Sequence, residues 1–195
     1  TAIGVGLEFG LSIETIRQAL ASFGGVKRRL EVVGSAKSVT VMNDYGHHPT
    51  EIRATLAAIR ECFSGAMNRL VVVFQPHRYT RTQMCWKEYL SAFGEADHVV
   101  MMDVYAASED PIVGVSGESL VAELCHGSKE FQADIDRVLE HLPGKLEAGD
   151  LVLCLGAGSV GSLPEKLLAA LANPGATEEL SRNDDVPVLR IVGGK

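Results

Sequence analysis

Short, mostly apolar runs alternate along this chain with segments whose apolar residues recur at helical spacing. Runs of this kind are typical of strands that are buried on both faces of a sheet. They cover residues 39–42, 70–74, 99–102 and 151–155. The intervening helical patterns cover residues 49–62, 83–93, 117–125 and 134–142. This alternation predicts an α/β fold, with a mostly parallel sheet and flanking helices.

Helical patterns also lie outside this alternating unit. Two precede it, at residues 1–9 and 13–23, where Ser12 is a candidate N-cap and no strand accompanies the helices. One follows it at residues 164–171, before a polar tail. We therefore expect a helical piece of another domain at residues 1–25, an α/β domain at residues 26–175 and a tail at residues 176–195.

Composition and charge narrow the class of protein. The 195 residues are 46% hydrophobic and 22% charged, which is typical of a globular protein with a sizeable core. A formal net charge of -7 argues against a general nucleic-acid binder. No apolar run or N-terminal signal predicts a membrane span or secretion, so we expect a cytoplasmic protein. The four cysteines lack a C-x-x-C pair and are expected to be reduced and buried.

A dense polar cluster follows the first predicted strand and reads N-D-Y-G-H-H-P-T-E at residues 43–51. It places Asp44, Tyr45, His47 and His48 between a strand and a helix that begins near Pro49. In open α/β sheets ligands bind outside the carboxyl ends of the strands, where a helix N-terminus offers N–H groups to an anion. We therefore expect an anionic ligand at this loop.

A second polar cluster follows the next predicted strand and reads Q-P-H-R-Y-T-R-T at residues 75–82. Arg78 and Arg81 are three residues apart, so both guanidinium groups could face one carboxylate or phosphate. Because both clusters follow parallel strands, we expect them to share one crevice. The alternative is that the two arginines are solvated surface charges.

Other residues allow weaker interpretations. His47, His48, Asp44 and His77 could supply zinc ligands, although neighbouring loop histidines diverge and one of them could instead cap the helix. The G-x-G-x-x-G at residues 156–161 comes last in the sheet pattern, which favours close backbone packing over dinucleotide binding. The basic run that contains Arg29 is either a solvated stretch or a linker that reaches a ligand. No G-x-x-x-x-G-K-[ST] phosphate loop occurs in the chain.

These segments together resemble the Mur ligases of bacterial peptidoglycan synthesis. The resemblance spans about residues 1–170, and within the family it is nearest to members that join L-alanine to UDP-N-acetylmuramate. It is carried by G-V-K-R-R-L-E at residues 25–31, D-Y-G-H-H-P-T-E at 44–51, F-Q-P-H-R-Y-T-R-T at 74–82 and D-V-Y-A-A-S-E at 103–109.

The resemblance implies a three-domain enzyme of which this chain is the last part. Residues 1–25 would be the final helices of the central ATP-binding domain, and the rest a C-terminal Rossmann-like domain. The P-loop would then lie in a part of the enzyme that precedes Thr1. The implied reaction uses ATP and Mg²⁺, held mainly by the other domains, to convert the muramate carboxylate to an acyl phosphate that the amine of L-alanine attacks. We expect the chain alone to be inactive.

The family's functional residues map onto specific positions here, and none is a metal ligand. Arg29 matches a hinge arginine that approaches the ATP phosphates and contributes to catalysis, and Asp44 matches the acid that contacts the ribose. The remaining matches form the amino-acid pocket, in which His47 is also a candidate catalytic group: Tyr45, His47, Arg78 and Arg81. Two alternatives stay open, a ligase that adds a murein tripeptide to UDP-N-acetylmuramate and a non-catalytic nucleotide-binding module.

Overall fold

The computed structural model describes residues 1–172, which form one six-stranded sheet with helices on both faces and two helices before it. The strands are β1 Glu31–Ala36, β2 Val39–Asp44, β3 Leu70–Phe74, β4 His98–Met101, β5 Lys129–Phe131 and β6 Leu151–Leu155. The helices are α1 Ala2–Glu8, α2 Ile13–Ala21, α3 Pro49–Cys62, α4 Tyr79–Met84, α5 Trp86–Tyr89, α6 Gly117–Glu123, α7 Ile135–His141 and α8 Leu163–Ala172. Short 3-10 turns lie at Pro143–Lys145 and Ser159–Ser162.

The sheet confirms the predicted α/β class. Its strand order is β1-β2-β6-β3-β4-β5, with β1 antiparallel to β2 and every other neighbouring pair parallel. The last strand in sequence, β6, therefore lies in the centre, between β2 and β3. This position explains why Leu151–Leu155 is fully buried.

Three elements differ from the sequence prediction. The edge strands β1 and β5 were missed because neither is a continuous apolar run; β1 is mostly half-buried and β5 is Lys-Glu-Phe. The single helix predicted at residues 83–93 is wrong. Instead, α4 begins at Tyr79 and α5 ends at Tyr89, with a break at Cys85 (φ -96°, ψ 11°).

Alternating residues of the central strands pack against helices on opposite faces. Met42 and Val72 join the cluster covered by α3, α5 and α6, whereas Val41 and Val71 join the cluster covered by α7 and α8. The helices thereby exclude water from both faces of the sheet, which explains why the sequences of these strands are unbroken apolar runs.

The first two helices expose much of their apolar surface. Ser12 caps α2 as predicted, since its hydroxyl accepts the N–H of Thr15 at 3.1 Å, and Ile16 is buried against Gly6. Large side chains on both helices are nevertheless exposed, most of all Phe9 at 81%. That these residues come from another domain stays a prediction.

Two further expectations concern the cysteines and the chain's end. All four thiols are free, but Cys62 and Cys125 are exposed, because one ends α3 and the other follows α6. The expectation of burial is therefore wrong for Cys62 and Cys125 and confirmed for Cys154, while Cys85 is partly buried. Over residues 1–172, no helix has both the length and the apolar character that a bilayer span requires. The predicted tail at residues 176–195 lies outside the described residues.

Candidate functional site

Three loops leave the sheet at the same rim, the carboxyl ends of β2, β3 and β6. Asp44 and Phe74 both pair with Leu155, so the three loops begin side by side. The loops after β2 and β3 are the two polar clusters found in the sequence. They are not adjacent in the sheet, because β6 and its glycine loop lie between them.

A row of four rings connects these loops. The rings of Tyr45 and His47 meet edge to face at 5.7 Å between centroids, and His47 lies 5.6 Å from His77. His77 in turn stacks on Tyr105 at 5.5 Å. The structure therefore brings the phenol and imidazole of the first cluster next to the histidine of the second.

The backbone N–H groups at the start of α3 are bonded to side chains of the same segment. His48 caps the helix, as one of the two histidines was expected to do, since its Nδ1 accepts the N–H of Thr50 at 3.2 Å. Glu51 accepts the N–H groups of His47 and His48 at 2.9 and 3.0 Å. Burial would raise the pKa of Glu51, but these hydrogen bonds lower it. An internal carboxylate thus already accepts N–H groups at this helix N-terminus, and an anionic ligand at this loop stays a prediction.

Two hydrogen bonds fix the orientation of His47. The Nδ1 atom of His47 lies 3.2 Å from the carbonyl oxygen of Tyr45. The hydroxyl of Tyr89 donates to the carbonyl oxygen of His47 at 2.6 Å. A carbonyl only accepts, so Nδ1 carries a proton, and in the neutral form of the ring Nε2 then keeps a lone pair. Tyr89 is fully buried, and burial raises the pKa of its hydroxyl, so it remains a donor.

The predicted guanidinium pair borders an open cleft of about 320 Å³ beside these rings. Arg78 has φ 70°, a strained value for a non-glycine residue, and its Nε lies 3.4 Å from Glu109. Arg81 Nη1 lies 3.4 Å from His77 Nδ1, the nitrogen that must accept. The cleft is lined by His48, Arg78, Thr80, Arg81, Met84 and Cys85.

The ionisable groups around the pair have defined charge states. Burial lowers the pKa of His77, as do the nearby His47, Arg81 and Arg78, so His77 is neutral at pH 7. Hydrogen bonds from Thr80 lower the pKa of Glu109, which is therefore ionised. The site combines two cations, a fixed carboxylate and the neutral imidazole of His77.

The linker before β1 folds against the first loop. Asp44 is 4% exposed, and its two carboxylate oxygens accept the N–H groups of Leu30 at 2.8 Å and Gly46 at 2.7 Å. Arg28 donates to the carbonyl of Gly156 at 2.6 Å, whereas the exposed Arg29 lies 5.5 Å from the centroid of the Tyr45 ring. Of the two linker arginines, Arg29 is the one exposed to solvent.

The glycine loop packs closely, as the sequence favoured. A Cβ on Gly158 would lie 2.5 Å from Gln75 Oε1 and 2.6 Å from Tyr105 Cγ. Gln75 also accepts the N–H of Val160 at 2.9 Å and bonds Ser159. These glycines let the loop after β6 approach the loop after β3.

The zinc set that the sequence offered as a weaker interpretation is not assembled. Within residues 1–172, the group whose donor atoms lie mutually within 4.8 Å is His48, Cys85 and Glu88. Cys85 was not expected near the histidines. His48 is engaged in the α3 cap, and burial followed by the charge of Glu88 raises the pKa of Cys85, which favours a neutral thiol.

Sequence reasoning missed residues that hold the site in place. Tyr89 bonds a carbonyl 42 residues away, Gln75 ties two loops together, and Glu109 contacts Thr80 and Arg78. Glu109 lies in a motif that carried the family resemblance, which was the available signal for it. Nothing local to Tyr89 distinguishes it from an ordinary buried aromatic residue.

Comparison with known proteins identifies the family of this chain. The family model "Mur ligase, glutamate ligase domain" matches residues 28–158. UDP-N-acetylmuramate–L-alanine ligase of Geobacter sp. is 46% identical over 173 residues, covering 87% of this chain and 37% of that protein. The chain thus spans little more than a third of the curated relatives that it matches.

Solved structures show the same fold. UDP-N-acetylmuramate-alanine ligase from Thermotoga maritima aligns with a TM-score of 0.69 and 25% identity, covering 86% of this chain and 35% of that one. A murein peptide ligase from Psychrobacter arcticus aligns with a TM-score of 0.64 and 24% identity, covering 90% and 36%. The family model, the relatives and the fold agree, and this chain belongs to the Mur ligase family, of which it carries the glutamate ligase domain.

Proposed function

We propose that this chain is the C-terminal part of an ATP-dependent ligase that joins L-alanine to UDP-N-acetylmuramate in cytoplasmic synthesis of peptidoglycan precursors. The observation that carries the proposal is the convergence of the Tyr45–His47 loop with the Arg78–Arg81 loop at one rim of the sheet. Relatives at 46% identity are named for the same reaction.

The two arginines are proposed to bind the carboxylate of L-alanine. Arg78 and Arg81 border one cleft, and each is oriented by an internal partner, Glu109 or His77. Their remaining N–H groups can form charge-assisted hydrogen bonds with a carboxylate. Orientation by fixed partners lowers the entropy that binding would otherwise cost.

His47 and Tyr45 are proposed to orient the amine of L-alanine. The amine must lose a proton before it attacks the carbonyl carbon, because its lone pair forms the new C–N bond. When the ring of His47 is neutral and Nδ1 donates to the Tyr45 carbonyl, Nε2 keeps a lone pair that can accept a hydrogen bond from the amine. Phosphate then leaves with the electrons of the broken C–O bond.

The linker is proposed to contact the nucleotide. ATP supplies the phosphoryl group that activates the muramate carboxylate, and Mg²⁺ would offset its charge. Arg29 is exposed at the hinge and can extend toward phosphates. Asp44 is the proposed ribose contact, but one of its oxygens accepts the N–H of Leu30 in the linker and the other accepts the N–H of Gly46 in its own loop. That contact would require the segment at Leu30 to move when the domains close.

The other half of the active site is proposed to lie outside this chain. Residues 1–25 would belong to the ATP-binding domain, whose remainder would cover exposed apolar side chains such as Phe9. ATP and Mg²⁺ would be held mainly there. The 195-residue chain alone should therefore hydrolyse no ATP, and turnover by the purified chain would contradict this division.

The complete enzyme that contains this chain provides the main test. ADP release should require both UDP-N-acetylmuramate and L-alanine. Arg81→Lys should raise the KM for L-alanine by roughly tenfold or more, because lysine cannot make the bidentate contact. Glu140→Gln, which changes an exposed residue of α7, is the control. A changed KM for ATP with an unchanged KM for L-alanine would contradict the assigned pocket.

A murein tripeptide ligase is the second candidate, since such an enzyme aligns with a TM-score of 0.64. Supplying tripeptide in place of L-alanine separates the two, because only one acceptor should support ADP release. A non-catalytic nucleotide-binding module is the third candidate. Calorimetry with ATP and NAD would detect it as binding by the isolated chain.

A further inference from the structure

Glu109 is an ionised carboxylate held beside the proposed acceptor pocket. It is anchored from two directions. Thr80 donates to it through the backbone N–H at 3.0 Å and through the hydroxyl at 2.7 Å, and Arg78 Nε lies 3.4 Å from Oε1. Its side chain is only 20% exposed. The carboxylate therefore cannot swing away from Arg78 without losing these contacts.

The position of Glu109 sets the charge that an acceptor meets. Arg78 and Arg81 bring two positive charges to the cleft, and Glu109 offsets one of them. His77 adds none, because burial and its cationic neighbours lower its pKa. Glu88 lies near His48 and Cys85, which line the cleft, but it is exposed and water screens it. Within residues 1–172, the guanidinium of Arg81 has no carboxylate partner, which suits an acceptor with a single carboxylate.

We propose that Glu109 is a specificity-determining residue that restricts the acceptor to amino acids with one carboxylate. It acts through Arg78, so it is a positioning residue and touches no reacting atom. A second carboxylate on the acceptor would meet the negative charge of Glu109 in place of a free guanidinium. This inference rests on the proposed function, because it assumes that the arginine pair binds the acceptor.

L-Aspartate and L-asparagine provide the test, because they match in size and differ in charge. In the full-length ligase, each is measured as a competitive inhibitor against L-alanine. In the wild type, aspartate should bind more weakly than asparagine. In Glu109→Gln the ratio of the two inhibition constants should shift by roughly tenfold toward aspartate, the size expected for one unit charge nearby in a partly solvated cleft.

Thr80→Val is the matched control. It removes the hydroxyl donor to Glu109 but keeps the carboxylate charge and the backbone N–H contact. If Glu109 only supported the start of α4, Thr80→Val and Glu109→Gln would alter binding in the same way. The proposal expects the aspartate-to-asparagine ratio to change in Glu109→Gln alone.

Several results would overturn the proposal. These are an unchanged ratio in Glu109→Gln, aspartate that fails to compete in either form, or an equal shift in Thr80→Val. The outcomes also distinguish a failure of the proposed function from a failure of the role assigned to Glu109. A wild-type enzyme without L-alanine-dependent ADP release removes the proposed function and this inference together. Normal wild-type turnover with an unchanged ratio removes the inference alone.

Discussion

Tyr89→Phe isolates one hydrogen bond that holds the candidate site. The Tyr89 hydroxyl donates to the His47 carbonyl at 2.6 Å, and the ring is fully buried against Phe74, 5.6 Å between centroids. Phenylalanine keeps the ring and its packing, so little cavity term is expected. The lost hydrogen bond should lower the free energy of unfolding by about 1 kcal/mol, rising to about 2 kcal/mol if water cannot reach the freed carbonyl.

Urea unfolding of the 195-residue chain measures this change. The midpoint should fall while the m-value stays the same, because the surface exposed on unfolding is unaltered. Tyr79→Phe, on the first turn of α4, is the control for removing a phenolic hydroxyl elsewhere. In the complete enzyme, a less restrained His47 should raise the KM for L-alanine. A free energy of unfolding within about 0.3 kcal/mol of the wild type would refute the reasoning.

Three other changes test separate parts of the structure. Gly158→Ala should destabilise the chain by about 1–3 kcal/mol, because its Cβ would meet atoms at 2.5 and 2.6 Å, whereas Gly144→Ala, with open space around it, should not. Burial lowers the pKa of His77 below its usual 6.5, so the unfolded state binds more protons just below that pH. Stability should therefore rise with pH through that window in urea titrations, and less so in His77→Gln. Arg69→Met should lower the free energy of unfolding by about 2–4 kcal/mol, because it removes the charged partner of the Asp150 carboxylate, which is 1% exposed. Thermal or urea unfolding measures this change. Equal stability of wild type and Arg69→Met would show that water reaches Asp150.

The fold was readable from the sequence where burial alone determines the residue pattern. Strands with helices on both faces have no polar side, so Leu70–Phe74 and Leu151–Leu155 were predicted with their observed bounds. The edge strands carry no such signal. Residues of β1 are half-buried and its pairing depends on β2, so its sequence resembles a loop.

The site was readable only in part, for a related reason. Polar residues that follow buried strands must lie at the carboxyl rim, which located His47 and Arg78 from the sequence. Their partners are determined by tertiary contacts between residues far apart in the sequence, such as Thr80 and Glu109, whose sequence separation is 29. Spacing carries no information about such pairs. The same limit applies to Asp44, whose burial beneath the linker depends on where Leu30 is placed.

The central position of β6 has a consequence for synthesis on the ribosome. A nascent chain that ends before Leu151 has already made β2 and β3, but each then exposes an unpaired edge toward the missing strand. Unpaired edges of this kind are sites of aggregation. The two polar loops would also lack the spacer that sets their distance. A translation product that ends before Leu151 would thus be prone to aggregation and would lack the binding crevice.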